Sequence, residues 1–561
     1  MKKMIRSLVV FSLCIINAHA QSYKFDFGVS SVPAVVGYTK VTTANVYTKT
    51  YANDNVVGYY GFENWDSTHL RGLDRVNPSG LNRDIITGWN NNGFSSFYFS
   101  VNVPEGKYTV TFYIGDYSAA ATTTIKAESR RLLVENLETA AGQIVTRTFT
   151  VMRKDPAIGT TGTSVGLDYS YGREDPAICL GWDRKLTFEF SGTRPAIGGI
   201  DIVKVDTCIT LHLCGNSTLV EQEDVPWAAW GQSLHRFFNS SIIVNDLATS
   251  GLTSSSFLNQ RRLAKICSVM RPGDYLFFEF GHNDQGSVST SQFQTNMKRF
   301  SDSALAHGAT MVFVAPTARR ADNDSATSVG GYAELTRTYA RTLGAKLIDL
   351  NTAVIRMKAA LGAAAYGSDD TQLYCNVSTS PLWPDQPAVN DGTHFCDFGG
   401  YELAKWVAKT GMKAAGLTLT QYLLDTATFN PNTPDSKSNF HLPVSLDTVF
   451  RHTTPGATVR PDSTSAVTTQ VLNATGELLS GYSISINPVM STIAYTVHAG
   501  ENAMFDIFSI TGKMLARKHT ASVKAEGAFQ WKEINGLPAG IYYLQMKVNS
   551  KDVRKTRFCK L

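Results

Sequence analysis

The run CITLHLCGNSTLV, residues 208 to 220, is apolar and β-branched and ends in Gly215-Asn216-Ser217-Thr218. A serine just past a strand can act as a nucleophile, but its hydroxyl is weak at neutral pH and needs a base within hydrogen-bond reach. Taken alone, Ser and Thr are ordinary turn residues, and Asn216-Ser217-Thr218 is also a glycosylation sequon. Three later blocks hold possible partners. NDLATSGLTSSSF carries Gly251, YLFFEFGHNDQ carries Gly281-His282-Asn283-Asp284, and NDGTHFCDFGGYELA carries Asp391 and His394. Histidine has the intrinsic pKa of a general base. An aspartate three residues before it, in one loop, can accept from the other ring nitrogen and fix the tautomer. Ser217, His394 and Asp391 can therefore form a triad for acyl transfer. The backbone N–H groups of Ser217 and Gly251 and the side-chain amide of Asn283 suit the oxyanion of a tetrahedral intermediate. Singly, each has a plainer reading: Gly251 as a loop glycine, Asp391 as a helix cap, His394 as packing against the last helix, Asn283 and Asp284 as turn residues. Their joint occurrence, in order, carries the weight.

The elements that must position these blocks follow from periodicity. CITLHLC, SIIVNDLA, DYLFFEFG, ATMVFVAP and AKLIDL read as strands. Between them, SFLNQRRLAKICSVM, SQFQTNMKRFSDSALAHG and YAELTRTYARTLG have apolar residues at three- and four-residue spacing, the mark of helices. Strands separated by helices imply βαβ units and a largely parallel sheet. Ligands bind outside the carboxyl ends of such a sheet. The first three blocks fall there, and the fourth is expected in a loop that enters the helix YELAKWVAKTGMKAAG.

The order Ser…Gly…Asn…Asp-x-x-His resembles the signature of the SGNH (GDSL-type) hydrolases. No G-x-S-x-G elbow is present, which argues against an α/β-hydrolase. Within the superfamily the chain is most similar to rhamnogalacturonan acetylesterases, through VPWAAWGQSL, GDYLFFEFGHNDQ, VAPTARR and DGTHF; the likeness spans about residues 207 to 420. It implies a three-layer α/β domain with a flavodoxin-like parallel sheet. It also implies removal of acetyl groups from a pectic polysaccharide through an acetyl-enzyme on Ser217, with no metal or other cofactor. Two positions depart from the pattern. Asn216 stands where the family has Asp, and Leu252 where near relatives have Arg. Asn is nearly isosteric with Asp and still accepts a hydrogen bond. Arg319 and Arg320 are candidates to hold a sugar carboxylate in place of that Arg, or else form a structural surface pair.

Length and composition bound the rest. A chain of 561 residues exceeds one core. Charged residues are 18%, and a net charge of +5 comes without a long basic run, so nucleic acid is not an expected partner. Residues 1–20 read as a signal peptide: Lys2, Lys3 and Arg6, an apolar run from Leu8 to Ile16 too short to span a bilayer, then Ala18-His19-Ala20. Export to the medium or the surface of a bacterial cell is expected, with no membrane span. Residues 21–206 alternate with period two and read as a β-sandwich, which GYYGFENW marks as a possible carbohydrate binder. Residues 207–425 form the hydrolase, 426–478 a Pro/Thr/Asp/Ser-rich linker, and 479–561 a small β-sandwich. The last, with FDIFSITGKML, LPAGIYYLQMKV and VRKTRFCKL, resembles the sorting domain of type IX secretion substrates. That resemblance implies an outer-membrane secretion machinery as a further partner beside acetylated plant cell-wall polysaccharide. Of the cysteines outside the leader, Cys375 and Cys396 are the candidate bridge; Cys208, Cys214 and Cys267 read as free thiols. An acetylxylan esterase on the same scaffold, and a surface carbohydrate binder with a dead site, are the competing functions.

Overall fold

A computed structural model describes residues 21–47, 55–63, 70–76, 79–88, 96–168, 174, 179–222, 225–362, 373–377, 389–443 and most strands between 483 and 560. The expected leader lies outside the described residues. The middle of the chain holds five parallel strands: Ile209–Gly215, Ile242–Asp246, Tyr275–Glu279, Thr310–Val314 and Lys346–Ile348. In space the second strand lies outside the first, and the third, fourth and fifth follow on the other side. This 2-1-3-4-5 order is the flavodoxin-like arrangement, with its switch point between the first and third strands.

Both faces of the sheet are covered, which explains why its strands read as nearly continuous apolar runs. Phe277 and Val312 face one core with Trp230, Val354 and Leu403. Leu276, Phe278 and Phe313 face the other, with Phe257, Phe293 and Phe300. The helix Thr290–Ala306 matches its expectation and starts on Ser289, whose hydroxyl accepts from Gln292 N. The helix expected over 256–270 is divided into Ser254–Asn259 and Arg262–Val269. Arg261, between them, has φ +61°. The break sits where a loop from the N-terminal part docks, with Gly166 N donating to Gln260 O at 2.9 Å.

Ahead of this unit are two further sheets, one of seven strands and one of six, mostly antiparallel. They share a core that includes Phe27, Phe99, Phe112, Phe188 and Ile200. Phe62 of GYYGFENW is part of that core, and Tyr59 stacks edge-on against Tyr47 at 4.8 Å. Among the described residues of that stretch the aromatics therefore serve packing. After residue 480 a three-stranded and a four-stranded sheet share a core around Phe505, Trp531 and Leu544.

Two expectations are corrected. Cys375 and Cys396 are not joined by a disulfide. Tyr374 pairs with Phe395 in an antiparallel ladder, so the next residue of each strand steps away from the other cysteine. The first part of the expected linker is packed. Phe429 is buried, Thr410 Oγ1 donates to Phe429 O at 2.6 Å, and Phe440 meets Phe398 and Tyr401. Its few apolar residues are too sparse for a periodic signal, yet Phe429, Phe440 and Leu442 all join the core beside the last helix. Residues 444–482 lie outside the described residues.

The N-terminal sheets and the parallel-sheet unit are joined by buried charges. Arg262 Nη1 and Nη2 donate to Glu174 Oε1 at 2.8 Å and Oε2 at 2.5 Å. Arg131 Nε donates to Glu221 Oε1 at 2.5 Å, and Arg130 reaches Asp397 at 2.9 Å. Removing one partner of such a pair leaves the other buried without compensation. Glu174→Ala is therefore expected to destabilise the protein by about 3–5 kcal/mol, seen as a lower urea midpoint. An unchanged midpoint would show that Arg262 does not depend on this carboxylate.

Candidate active site

The nucleophile turn begins where the first strand ends. Gly215 is closely hemmed in: a Cβ there would lie 3.0 Å from Glu279 O and 3.1 Å from Leu219, so a neighbour would have to give way. The turn that follows is closed by Leu219 N and Val220 N donating to Asn216 O at 3.1 and 3.0 Å. Asn216 is fully buried, and its Oδ1 accepts from Thr218 N at 3.2 Å and Thr218 Oγ1 at 3.0 Å. Its Nδ2 has no partner among the described residues. Gln222 Nε2 donates to Ser217 O at 2.6 Å and braces the turn from the far side.

The fourth block comes back to this turn. Asp391 and His394 lie in a short strand, Val389–Phe395, where a plain loop was expected. That strand pairs with Tyr374–Val377 and leads into the helix Asp397–Trp406. His394 Nε2 is 2.8 Å from Ser217 Oγ across 177 residues of sequence, and His394 Nδ1 is 2.7 Å from Asp391 Oδ2. The carboxylate at Nδ1 places the ring proton there and leaves Nε2 as acceptor for the serine hydroxyl. Asp391 also accepts from Trp227 Nε1 at 3.2 Å, Thr393 N at 2.8 Å and His394 N at 2.9 Å. Burial by itself raises its pKa, but the bond and charge of His394 and the two backbone donors outweigh that and hold it at about 2. The carboxyl is thus ionised through the whole range in which His394 could act as a base.

The oxyanion candidates lie on the same cleft. Gly251 has φ +84°, a left-handed conformation that favours glycine. Its N–H and that of Ser217 have no partner among the described residues. Asn283 Nδ2 donates to Leu252 O at 3.0 Å, which leaves its second hydrogen for a ligand. The loops of the second and third blocks are tied by Asp284, whose Oδ1 accepts from Ser254 N at 2.9 Å and Ser254 Oγ at 2.5 Å. His282 does not compete as a base. Burial and then the neighbouring Arg319 push its pKa down to about 3, and its Nε2–H donates to Thr317 O at 2.8 Å.

Ser217, Gly251, Asn283, Asp391 and His394 all line one cleft of about 360 Å³. The arrangement can polarise a serine hydroxyl, accept its proton and stabilise a developing oxyanion, which is the equipment of acyl transfer. Arg319 and Arg320 do not line it. Arg319 instead donates to Gln285 Oε1 at 2.6 Å and His282 O at 3.1 Å, bracing the third block. Leu252 is buried in the core around Phe257.

Glu279 was not foreseen. Its signal is a carboxylate that ends the otherwise apolar strand YLFFE. It is fully buried, accepts from Thr317 N at 3.1 Å and Trp230 Nε1 at 2.8 Å, and shares the single Thr218 hydroxyl hydrogen, Oγ1 lying 3.1 Å away, with Asn216 Oδ1.

This fold and this site define a carboxylic ester hydrolase, and the chain belongs to the GDSL-like lipase/acylhydrolase family, whose model matches residues 213–377. It is 32% identical over 227 residues to the rhamnogalacturonan acetylesterase RhgT of Bacillus subtilis (38% of this chain, 94% of that protein). It is 28% identical over 224 residues to the probable rhamnogalacturonan acetylesterase YesY of the same organism (38% and 97%). Among solved structures, the YxiM protein of Bacillus subtilis is 20% identical with a TM-score of 0.35, over 71% of this chain and 99% of that one.

Burial raises the Glu279 pKa from 4.5 to about 7 in spite of its three donors. A carboxyl whose folded pKa is raised favours the folded state when protonated. Its contribution is therefore greatest below about pH 4.5 and is lost as pH rises towards 7. Asp246 and Glu402 act in the same direction. Glu279→Gln is expected to make the fall in urea midpoint between these pH values shallower. Identical slopes in the two proteins would rule out burial of Glu279 as a source of the dependence.

Proposed function

We propose that this protein is an exported carbohydrate O-acetylesterase that removes acetyl groups from acetylated rhamnogalacturonan. The observation that carries the reading is the hydrogen-bonded chain Asp391–His394–Ser217 opening on a cleft. The names of the relatives RhgT and YesY support the choice of substrate.

Ser217 Oγ attacks the acetyl carbonyl while His394 Nε2 takes its proton, and Asp391 stabilises the imidazolium that results. The carbonyl electron pair moves onto oxygen, which is met by Ser217 N–H, Gly251 N–H and Asn283 Nδ2. Collapse of the intermediate expels the sugar oxygen, which leaves with the proton from His394. Water, deprotonated by His394, then repeats the attack on the acetyl-enzyme and releases acetate and Ser217.

Export rests on residues 1–20, and a surface or extracellular address on the resemblance of 479–561 to a type IX sorting domain. An outer-membrane secretion machinery is then the protein partner. The N-terminal sheets are read as an accessory β-sandwich.

Acetate release from acetylated rhamnogalacturonan, acetylated xylan and an aryl acetate tests the proposal. Rhamnogalacturonan is expected to be the best polymer, and Ser217→Ala to lower turnover of every substrate by about 10⁴-fold or more. Xylan as the better polymer would reassign the substrate, and undiminished turnover in Ser217→Ala would end the mechanism. Asn216→Asp keeps both acceptor bonds to Thr218, so its turnover is expected within about threefold of the parent, because no hydrogen bond is lost. A folded Asn216→Asp protein without activity would show that the amide does more than shape the turn.

A further inference from the structure

The cleft at Ser217 is not made by the hydrolase unit alone. Ser129, Lys154, Glu174, Gly181 and Trp182, all from turns and loops of the N-terminal part, line it together with His394 and Gly251. They lie outside residues 213–377, where the family model matches. An acetyl group fills a small part of a cleft of about 360 Å³. The remaining space must take the alcohol side of the ester.

The wall is held firmly. Lys154 Nζ donates to Asp246 O at 2.5 Å and lies 4.5 Å from the Trp182 ring centre. Trp182 Nε1 donates to Glu174 Oε1 at 2.9 Å, and Glu174 is gripped by Arg262. Ser129 sits at the tip of the turn between strands Ala121–Ala127 and Arg131–Thr139. Its neighbours Glu128 and Arg130 have φ of +51° and +68°, left-handed values that side-chain-bearing residues adopt at a cost. Arg130 fastens the turn by donating to Gln222 O at 3.0 Å and Trp227 O at 2.8 Å. The turn is thus strained and clamped to the loops around the nucleophile.

The Ser129 hydroxyl is the unexplained group. The residue is 3% exposed, and Oγ has no hydrogen-bond partner among the described residues. A buried hydroxyl without a partner is costly and calls for one. Gly181 leaves space beside it: a Cβ there would meet only Ser129 Oγ at 3.7 Å and Cys179 Sγ at 3.8 Å.

We infer that loops of the N-terminal part form the sugar-binding wall of the esterase site. In this wall Ser129 Oγ hydrogen-bonds a hydroxyl of the glycosyl unit whose acetyl group lies at Ser217, and Gly181 keeps the space open. The inference rests on the carbohydrate esterase reading. It makes the N-terminal part a determinant of specificity, in place of a separate polysaccharide binder.

The test compares kcat/KM for acetylated rhamnogalacturonan and for an aryl acetate in full-length parent, Ser129→Ala and Gly181→Val. Ser129→Ala removes one hydrogen bond and is expected to raise KM for the polymer about three- to tenfold with kcat held, lowering the polymer-to-aryl ratio by the same factor. Gly181→Val is expected to lower that ratio further by occupying the space. A ratio unchanged in both folded variants would overturn the wall, as would equal losses on both substrates, which mark a structural role. If the parent cleaves the aryl acetate but no acetylated polysaccharide, the carbohydrate reading of this esterase fails and the wall with it.

Discussion

The Glu279 carboxylate is the constraint around which the site is assembled. A fully buried acid at the end of the third strand must find donors, and it finds them in three separate segments. Thr218 brings the nucleophile turn, Trp230 the short helix after it, and Thr317 the loop beyond the fourth strand. Asp284 does the same for the second and third blocks through Ser254 and the Gly281 amide. The loops at this edge of the sheet are held by buried acceptors, so the proposed nucleophile sits on a turn with little freedom to move. Such preorganisation is what electrostatic stabilisation of an oxyanion requires.

The cost of the arrangement shows in the groups around it. Burial raises Glu279 and Asp246 to about 7, while Asp391, half-buried but given four donors, falls to about 2. The difference is one of partners as much as of depth. Asp391 faces a histidine that becomes charged in the proposed cycle, and Glu279 faces only neutral donors. One carboxylate is suited to stabilise a transient imidazolium and the other to brace a loop.

The buried ion pairs between the N-terminal sheets and the hydrolase unit extend the same logic. Arg130, Arg131, Arg262 and Glu174 are each almost wholly removed from water, and each is matched across the junction. Charges buried this way do not separate cheaply. A junction of this kind suits two units that share one cleft.

Much of the hydrolase was legible in the chain itself. The five strands, their alternation with helices and the residue types of the four blocks are short-range properties: periodicity of burial, glycine at a turn, an aspartate three residues from a histidine. Local pattern alone therefore specifies the parallel sheet and the groups able to meet at its edge. Other features depend on pairing between distant residues, which spacing does not encode. Whether Cys375 meets Cys396 turned on the register of one small ladder, and it placed them apart. The break at Arg261, the packing of Phe429 and the partners of Glu279 are likewise set by what docks from elsewhere. That the turn at Ser129 and the loop at Trp182 border the cleft of Ser217 is a matter of long-range packing, because the charges and surfaces that bring them there are far apart in the chain.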